Sequence, residues 1–111
     1  MIGQLVSMTQ IQNYLTIDVE DYFHVSAFEK ISPPSTWGAR QSRVERNTER
    51  VLSLLDESGT KATFFVLGWV ADKHPKLVPK IAAAGHEIAS HGYLHQRVAS
   101  QDRATYREDI R

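Results

Sequence analysis

The sequence predicts an α/β fold with parallel strands, the front part of a larger βα domain. Two observations carry this. Short β-branched or apolar runs alternate with longer amphipathic stretches in the order strand, helix, strand, helix, strand, helix. Such alternation implies parallel strands joined by right-handed crossovers. The middle run, Ala62-Thr63-Phe64-Phe65-Val66-Leu67, is apolar except for Thr63, as in a strand covered on both faces. Three such units are too few to close a barrel, and 111 residues suit one small domain.

Residues 1–12 read as a loose leader. Residues 13–111 read as a partial domain truncated at its C-terminus, because the chain stops inside a helical pattern with no terminal cap. Tyr14-Leu15-Thr16-Ile17-Asp18-Val19 predicts a buried strand over about 13–19. Residues 25–42 read as a long loop. Pro33-Pro34 forbids regular helix there, Ser32, Ser35 and Gly38 punctuate it, and Trp37 is expected to anchor it by packing.

From Val44 the period changes. Val44, Val51, Leu52, Leu54 and Leu55 form a helical stripe, which predicts a helix over 43–57. Ser42 is the expected N-cap, with Glu45 completing a capping box and Gly59 as the C′ stop. The strand at 62–67 ends at Gly68, and Trp69–Lys73 reads as a short helical turn. Pro75 suits the first turn of a helix carrying Leu77, Val78, Ile81 and Ala82–Ala84, with Pro79 tolerated near its start and Gly85 ending it. His86-Glu87-Ile88-Ala89 is the third strand. Ser100 or Asp102 then caps a last polar helix running to Arg111.

Composition removes several function classes. Thirteen basic residues balance thirteen acidic ones, so no basic excess points to nucleic acid. The absence of cysteine excludes disulfides, Cys-ligated zinc and thiol catalysis. No apolar run approaches the roughly 20 residues of a membrane span. The N-terminus lacks the basic and apolar regions of a signal peptide, so the expected location is cytoplasmic.

Two clusters could carry chemistry, Asp18-Val19-Glu20-Asp21 and His91-Gly92-Tyr93-Leu94-His95. Each follows the C-terminal end of a strand, and in a parallel sheet those ends share one rim. Acids crowded at the end of an apolar strand are costly unless solvated or bound to something. Two histidines four apart, with one carboxylate, suit zinc or another divalent first-row metal with open positions for water and substrate. A second, uncoordinated carboxylate could then take a proton from a water that the ion activates. The plainer reading makes these solvated loop acids and chance histidines. His24, His74 and His86 read as surface or core histidines, and Trp37 and Trp69 as packing residues rather than sugar platforms.

Three stretches raise the joint odds: Leu15-Thr16-Ile17-Asp18-Val19-Glu20-Asp21-Tyr22-Phe23, Gly59-Thr60-Lys61-Ala62-Thr63-Phe64-Phe65-Val66-Leu67-Gly68, and Gly85-His86-Glu87-Ile88-Ala89-Ser90-His91-Gly92-Tyr93-Leu94-His95. In this order they resemble the N-terminal part of the polysaccharide deacetylase family (NodB homology domain, carbohydrate esterase family 4), over about 13–98. Within it the chain looks most like the branch found beside exopolysaccharide and exosortase loci. The resemblance implies the N-terminal portion of a distorted (β/α) barrel. It also implies metal-dependent removal of acetyl groups from a polysaccharide or amino-sugar polymer, with zinc the foremost divalent metal. Asp18 matches the family's general base. The common form has two adjacent Asp, but Val19 follows Asp18 here. Glu20 fits a D-x-acid variant as the metal ligand, with Asp21 the alternative, and His91 and His95 match the two histidine ligands. The family's general acid, a late histidine, lies beyond Arg111. Two rival readings are an inactive carbohydrate-binding or scaffold fragment and a metal-free allantoinase-like amide hydrolase. The implied partner is the polymer, with no nucleic acid and no membrane insertion.

Overall fold

The computed structural model describes residues 10–111. Most of the leader expected over 1–12 therefore lies outside the described residues, and 10–12 are exposed without regular structure. Three strands, β1 (Thr16–Val19), β2 (Thr63–Val66) and β3 (Glu87–Ser90), form one sheet in the order β1-β2-β3. Both pairings are parallel, with Asp18 opposite Phe65 and Phe65 opposite Ala89. The helices are α1 (Val44–Ser58), α2 (Gly68–Lys73), α3 (Leu77–Ala83) and α4 (Arg103–Asp109). The α/β class and the parallel arrangement expected from the sequence are both present.

The core lies where β2 meets the helices. Phe64, Leu67, Val70, Leu77 and Ile81 are fully buried, and Leu52 and Leu55 of α1 close over them. Burying Phe64 alone is worth about 1.5–3 kcal/mol. The first strand differs from its expectation. Thr16 and Asp18 are exposed, only Val19 is fully buried, and Tyr14 and Leu15 stay outside the strand. Its faces alternate: Ile17 and Val19 turn to the core, while Thr16 and Asp18 lie on the opposite, exposed face.

In α1 the buried stripe is Val44, Thr48, Leu52 and Leu55, spaced by three and four residues. Leu54, counted in the stripe from sequence, points outward and is 64% exposed. Gly59 ends the helix at φ +66°, where its N–H reaches the Asp56 and Leu55 carbonyls. Before α1 the chain is not featureless. It makes three short 3-10 turns, at Tyr22–His24, Ser26–Phe28 and Pro34–Ala39. Pro34 sits at the start of the third, where its missing N–H costs nothing. Trp37 anchors this segment: it is buried and its Nε1 donates to the Ser32 carbonyl at 2.9 Å.

Downstream, α3 begins two residues after Pro75, with Pro79 inside its first turn. His86 is buried and its Nδ1 accepts the Ala62 N–H at 3.1 Å, but its own N–H still bonds the Ile81 carbonyl of α3 at 3.4 Å, so β3 starts one residue later than expected. Of the two expected caps for α4, Asp102 serves. Its carboxylate accepts the Thr105 N–H at 2.7 Å, and that bond holds the carboxyl below its usual range.

Candidate metal centre

Asp18 closes on the rim from β1, and Glu20 follows just beyond the strand. Two residues apart on extended chain, they share a face. The β3 exit supplies the histidines. His91 N–H donates to the Val66 carbonyl at 3.1 Å, which prolongs the ladder by one residue and fixes where the turn begins. Gly92 then takes φ +74°. The Gly92 and Tyr93 carbonyls accept the first two amides of α2, from Gly68 at 2.7 Å and Trp69 at 3.1 Å. This approach is so close that a Cβ on Gly68 would lie 2.5 Å from Tyr93 Cδ2. From the far side, Asp109 of α4 accepts the Leu94 N–H at 3.1 Å. His95 ends the turn at φ +55°, a left-handed conformation costly for a residue with a Cβ.

These supports bring Glu20, His91 and His95 together, each offering a ligand atom within 4.8 Å of the others. Glu20 Oε2 lies 3.1 Å from His95 Nε2, and Glu20 Oε1 lies 3.9 Å from His91 Nε2. Asp18 Oδ2 is also 3.9 Å from His91 Nε2, but its side chain is 55% exposed and it stands beside the group. The two imidazole rings are 4.9 Å apart.

Glu20 Oε2 and His91 Nε2 are buried and have no hydrogen-bond partner among the described residues. The 3.1 Å approach of Glu20 to His95 is not aligned as a hydrogen bond. A buried polar atom left unpaired costs about 1–3 kcal/mol. Lone pairs that converge without pairing fit a divalent cation bound by two imidazoles and a carboxylate.

Asp21, the alternative ligand, is not in the group. It is 3% exposed and its carboxylate is used elsewhere. Oδ2 accepts from Ser42 Oγ (2.6 Å), Arg43 N (2.9 Å) and Val44 N (3.2 Å), and Oδ1 from Tyr22 N (3.2 Å). Asp21 thereby caps α1 in place of Ser42. Arg43 occupies the N-cap position with no side-chain bond of its own, and the expected capping box is absent. The helix N-terminus draws in a buried carboxylate that the amides can satisfy.

The other histidines have structural partners. His24 is buried among Phe23, Trp37 and Trp69, and its Nδ1 accepts the Asp21 N–H at 2.7 Å. Burial pushes its pKa down to about 4; Asp21 opposes this and His95 adds to it. His74, assigned no role from sequence, lies 3.2 Å from Ser42 Oγ through Nε2 and 2.7 Å from Glu45 through Nδ1. That is the spacing of a serine–histidine–acid triad. Ser42, however, gives its proton to Asp21, and Asp21 also occupies the first amides of α1. Nothing there activates a nucleophile. Gly68 and Asp109 are the supports that sequence reading missed. A glycine directly after a strand was visible, but its close neighbour twenty-five residues on was not.

Residues 27–111 match the family profile described as polysaccharide deacetylase. The chain belongs to the polysaccharide deacetylase family. It is 41% identical over 63 residues to a peptidoglycan-N-acetylglucosamine deacetylase of Bacillus cereus, covering 57% of this chain and 23% of that protein. It is 38% identical over 64 residues to a chitooligosaccharide deacetylase of Rhizobium leguminosarum bv. trifolii, covering 58% and 30%. Among solved structures, a peptidoglycan N-acetylglucosamine deacetylase superposes with a TM-score of 0.61 at 29% identity, over 87% of this chain and 35% of that one. The deacetylase PdaC of Bacillus subtilis shares the fold, with a TM-score of 0.64 over 92% and 40%. The chain thus spans less than a third of the two curated relatives. Its three βα units share the fold of part of the family's distorted barrel.

Proposed function

We propose that the chain carries the metal-binding half of a hydrolase site that removes acetyl groups from a polysaccharide or amino-sugar polymer, in exopolysaccharide or cell-wall carbohydrate metabolism. The observation behind this reading is the convergence of Glu20, His91 and His95 with unpaired buried atoms. These three would hold a divalent cation, zinc first. When bound, that ion supplies Lewis acidity toward an acetyl carbonyl and eases the ionisation of a water.

This chain's own residues supply a base and the walls of the cleft. Asp18 stands next to the cluster without belonging to it and stays half in solvent. It is placed to take a proton from a water at the rim as general base. Two clefts meet at His95 and give a polymer room on either side. One, of about 400 Å³, runs past His24, Trp37 and Arg97, and the other, of about 660 Å³, past His91, Val98 and Tyr106. Protonation of the leaving amine is assigned to the part of the relatives that this chain does not span.

Zinc titration of the purified chain tests the reading. The expected result is one equivalent bound by the wild type, with a loss of at least about 100-fold in His91→Ala and in His95→Ala. Asp18→Asn should keep the zinc, as expected of a carboxylate that stands beside the ion and does not ligate it. Equal zinc binding by the wild type and both histidine variants would overturn it.

A further inference from the structure

We infer that Asp21 is a positioning residue for the metal centre: a bracket that ties the β1 exit to the N-terminus of α1 and so aims Glu20 at the two histidines. The inference rests on the metal-binding reading and deepens it. Glu20 Oε2 has no hydrogen-bond partner among the described residues, so no such bond aims that oxygen. Its direction must come from the backbone it hangs on. The next residue in that backbone is the most heavily tied acid on this rim.

The ties reach in two directions. Forward along the chain, the Asp21 amide donates to His24 Nδ1 at 2.7 Å, and Asp21 Oδ1 accepts from Tyr22 N. Across the fold, Asp21 Oδ2 collects Ser42 Oγ, Arg43 N and Val44 N, twenty-one to twenty-three residues away. The Arg43 guanidinium also lies 4.9 Å over the Tyr22 ring, so the same two segments are clasped twice. Helix α1 does not require so remote a cap. Ser42 stands next to its first turn and is a residue type that caps well, yet it donates its hydroxyl to Asp21 instead. The arrangement satisfies the helix and also fixes the peptide that carries Glu20. Outer residues that orient metal ligands commonly control affinity by 10–100-fold.

Zinc affinity of the full chain, measured by calorimetry on folded samples, separates positioning from bulk stability. Asp21→Ala should weaken zinc about 10- to 100-fold. Asp21→Asn keeps a neutral acceptor for the helix amides and should recover most of the stability, but still lose at least about threefold in zinc affinity. Leu52→Ala removes core packing of α1 away from the rim. It should lower stability and leave zinc affinity within about twofold of wild type.

Wild-type affinity in Asp21→Asn overturns the inference, whether Asp21→Ala folds or not. So does a loss in Leu52→Ala equal to that of the Asp21 variants. If Glu20→Gln loses zinc while both Asp21 variants hold it, the bracket alone fails. If the wild-type chain takes up no zinc, the metal reading fails and the bracket with it.

Discussion

The exits of β1 and β3 meet at one centre but are held in opposite ways. The β1 exit is tied to itself and to two helices: Asp21 and His24 bond within a single turn, Asp21 reaches the start of α1, and His24 packs on Trp69 of α2. The β3 exit makes only one bond inside its own turn, from Gly92 N–H to Ser90 Oγ. It depends on the amides of α2 from one side and on Asp109 of α4 from the other. The carboxylate half of the site is therefore set by short-range chemistry and one long-range cap. The imidazole half is set by bonds to two helices, α2 and α4. Loss of a contact to α2 or α4 should strike the histidines first, and loss of the Asp21 bonds should strike Glu20.

The largest test of that contrast is Gly68→Ala. Its Cβ would press on the Tyr93 ring and lie 3.2 Å from the Tyr93 Cα. The expected cost is about 3 kcal/mol in denaturant unfolding. Histidine NMR signals of residues 91 and 95 should shift while that of His24 stays.

Acid titration probes the other exit. His24 has a folded pKa of about 4 against 6.5 unfolded. The unfolded chain therefore takes up the proton first, and stability is full above pH 6.5 and is lost as pH falls toward 4. Asp21 resists the shift and His95 reinforces it. A loss of about 2 kcal/mol across that interval is expected in metal-free buffer. His24→Phe should flatten this dependence, as followed by thermal melts at stepped pH.

Asp109→Ala removes the acceptor of Leu94 N–H and should cost about 1 kcal/mol. It should speed amide exchange at 92–95 and leave 20–24 unchanged. Tyr93→Phe removes the hydrogen bond from Tyr93 to Asp72, the bond that raises the phenol pKa. The site is partly exposed, so the melt should move least here, by about 0.5 kcal/mol or less.

Much of this was readable from the chain. Gly59 and Gly85 stop helices because their left-handed backbone requires glycine, a local matter. The β2 run and the alternation of elements are also local, and they place both clusters on one rim. The histidine pair was visible as a spacing. That Asp21 stands outside the cluster was not, because the amides at the N-terminus of α1 claim its carboxylate from across the fold. Leu54 misled for a related reason: a helical stripe gives a face, but only packing tells where that face ends. Asp109 and His74 left no mark in sequence because their partners are fifteen and twenty-nine or more residues away.

The remote cap on α1 also bears on how the chain reaches its fold. A helix that carried its own cap could complete its first turn alone. Here the acceptor for Arg43 and Val44 arrives only when the segment after β1 has closed a loop of about twenty residues, an entropic toll due before any bond forms. The start of α1 and the rim that carries Glu20 should therefore order in one kinetic step, with the last turns of the helix free to form earlier.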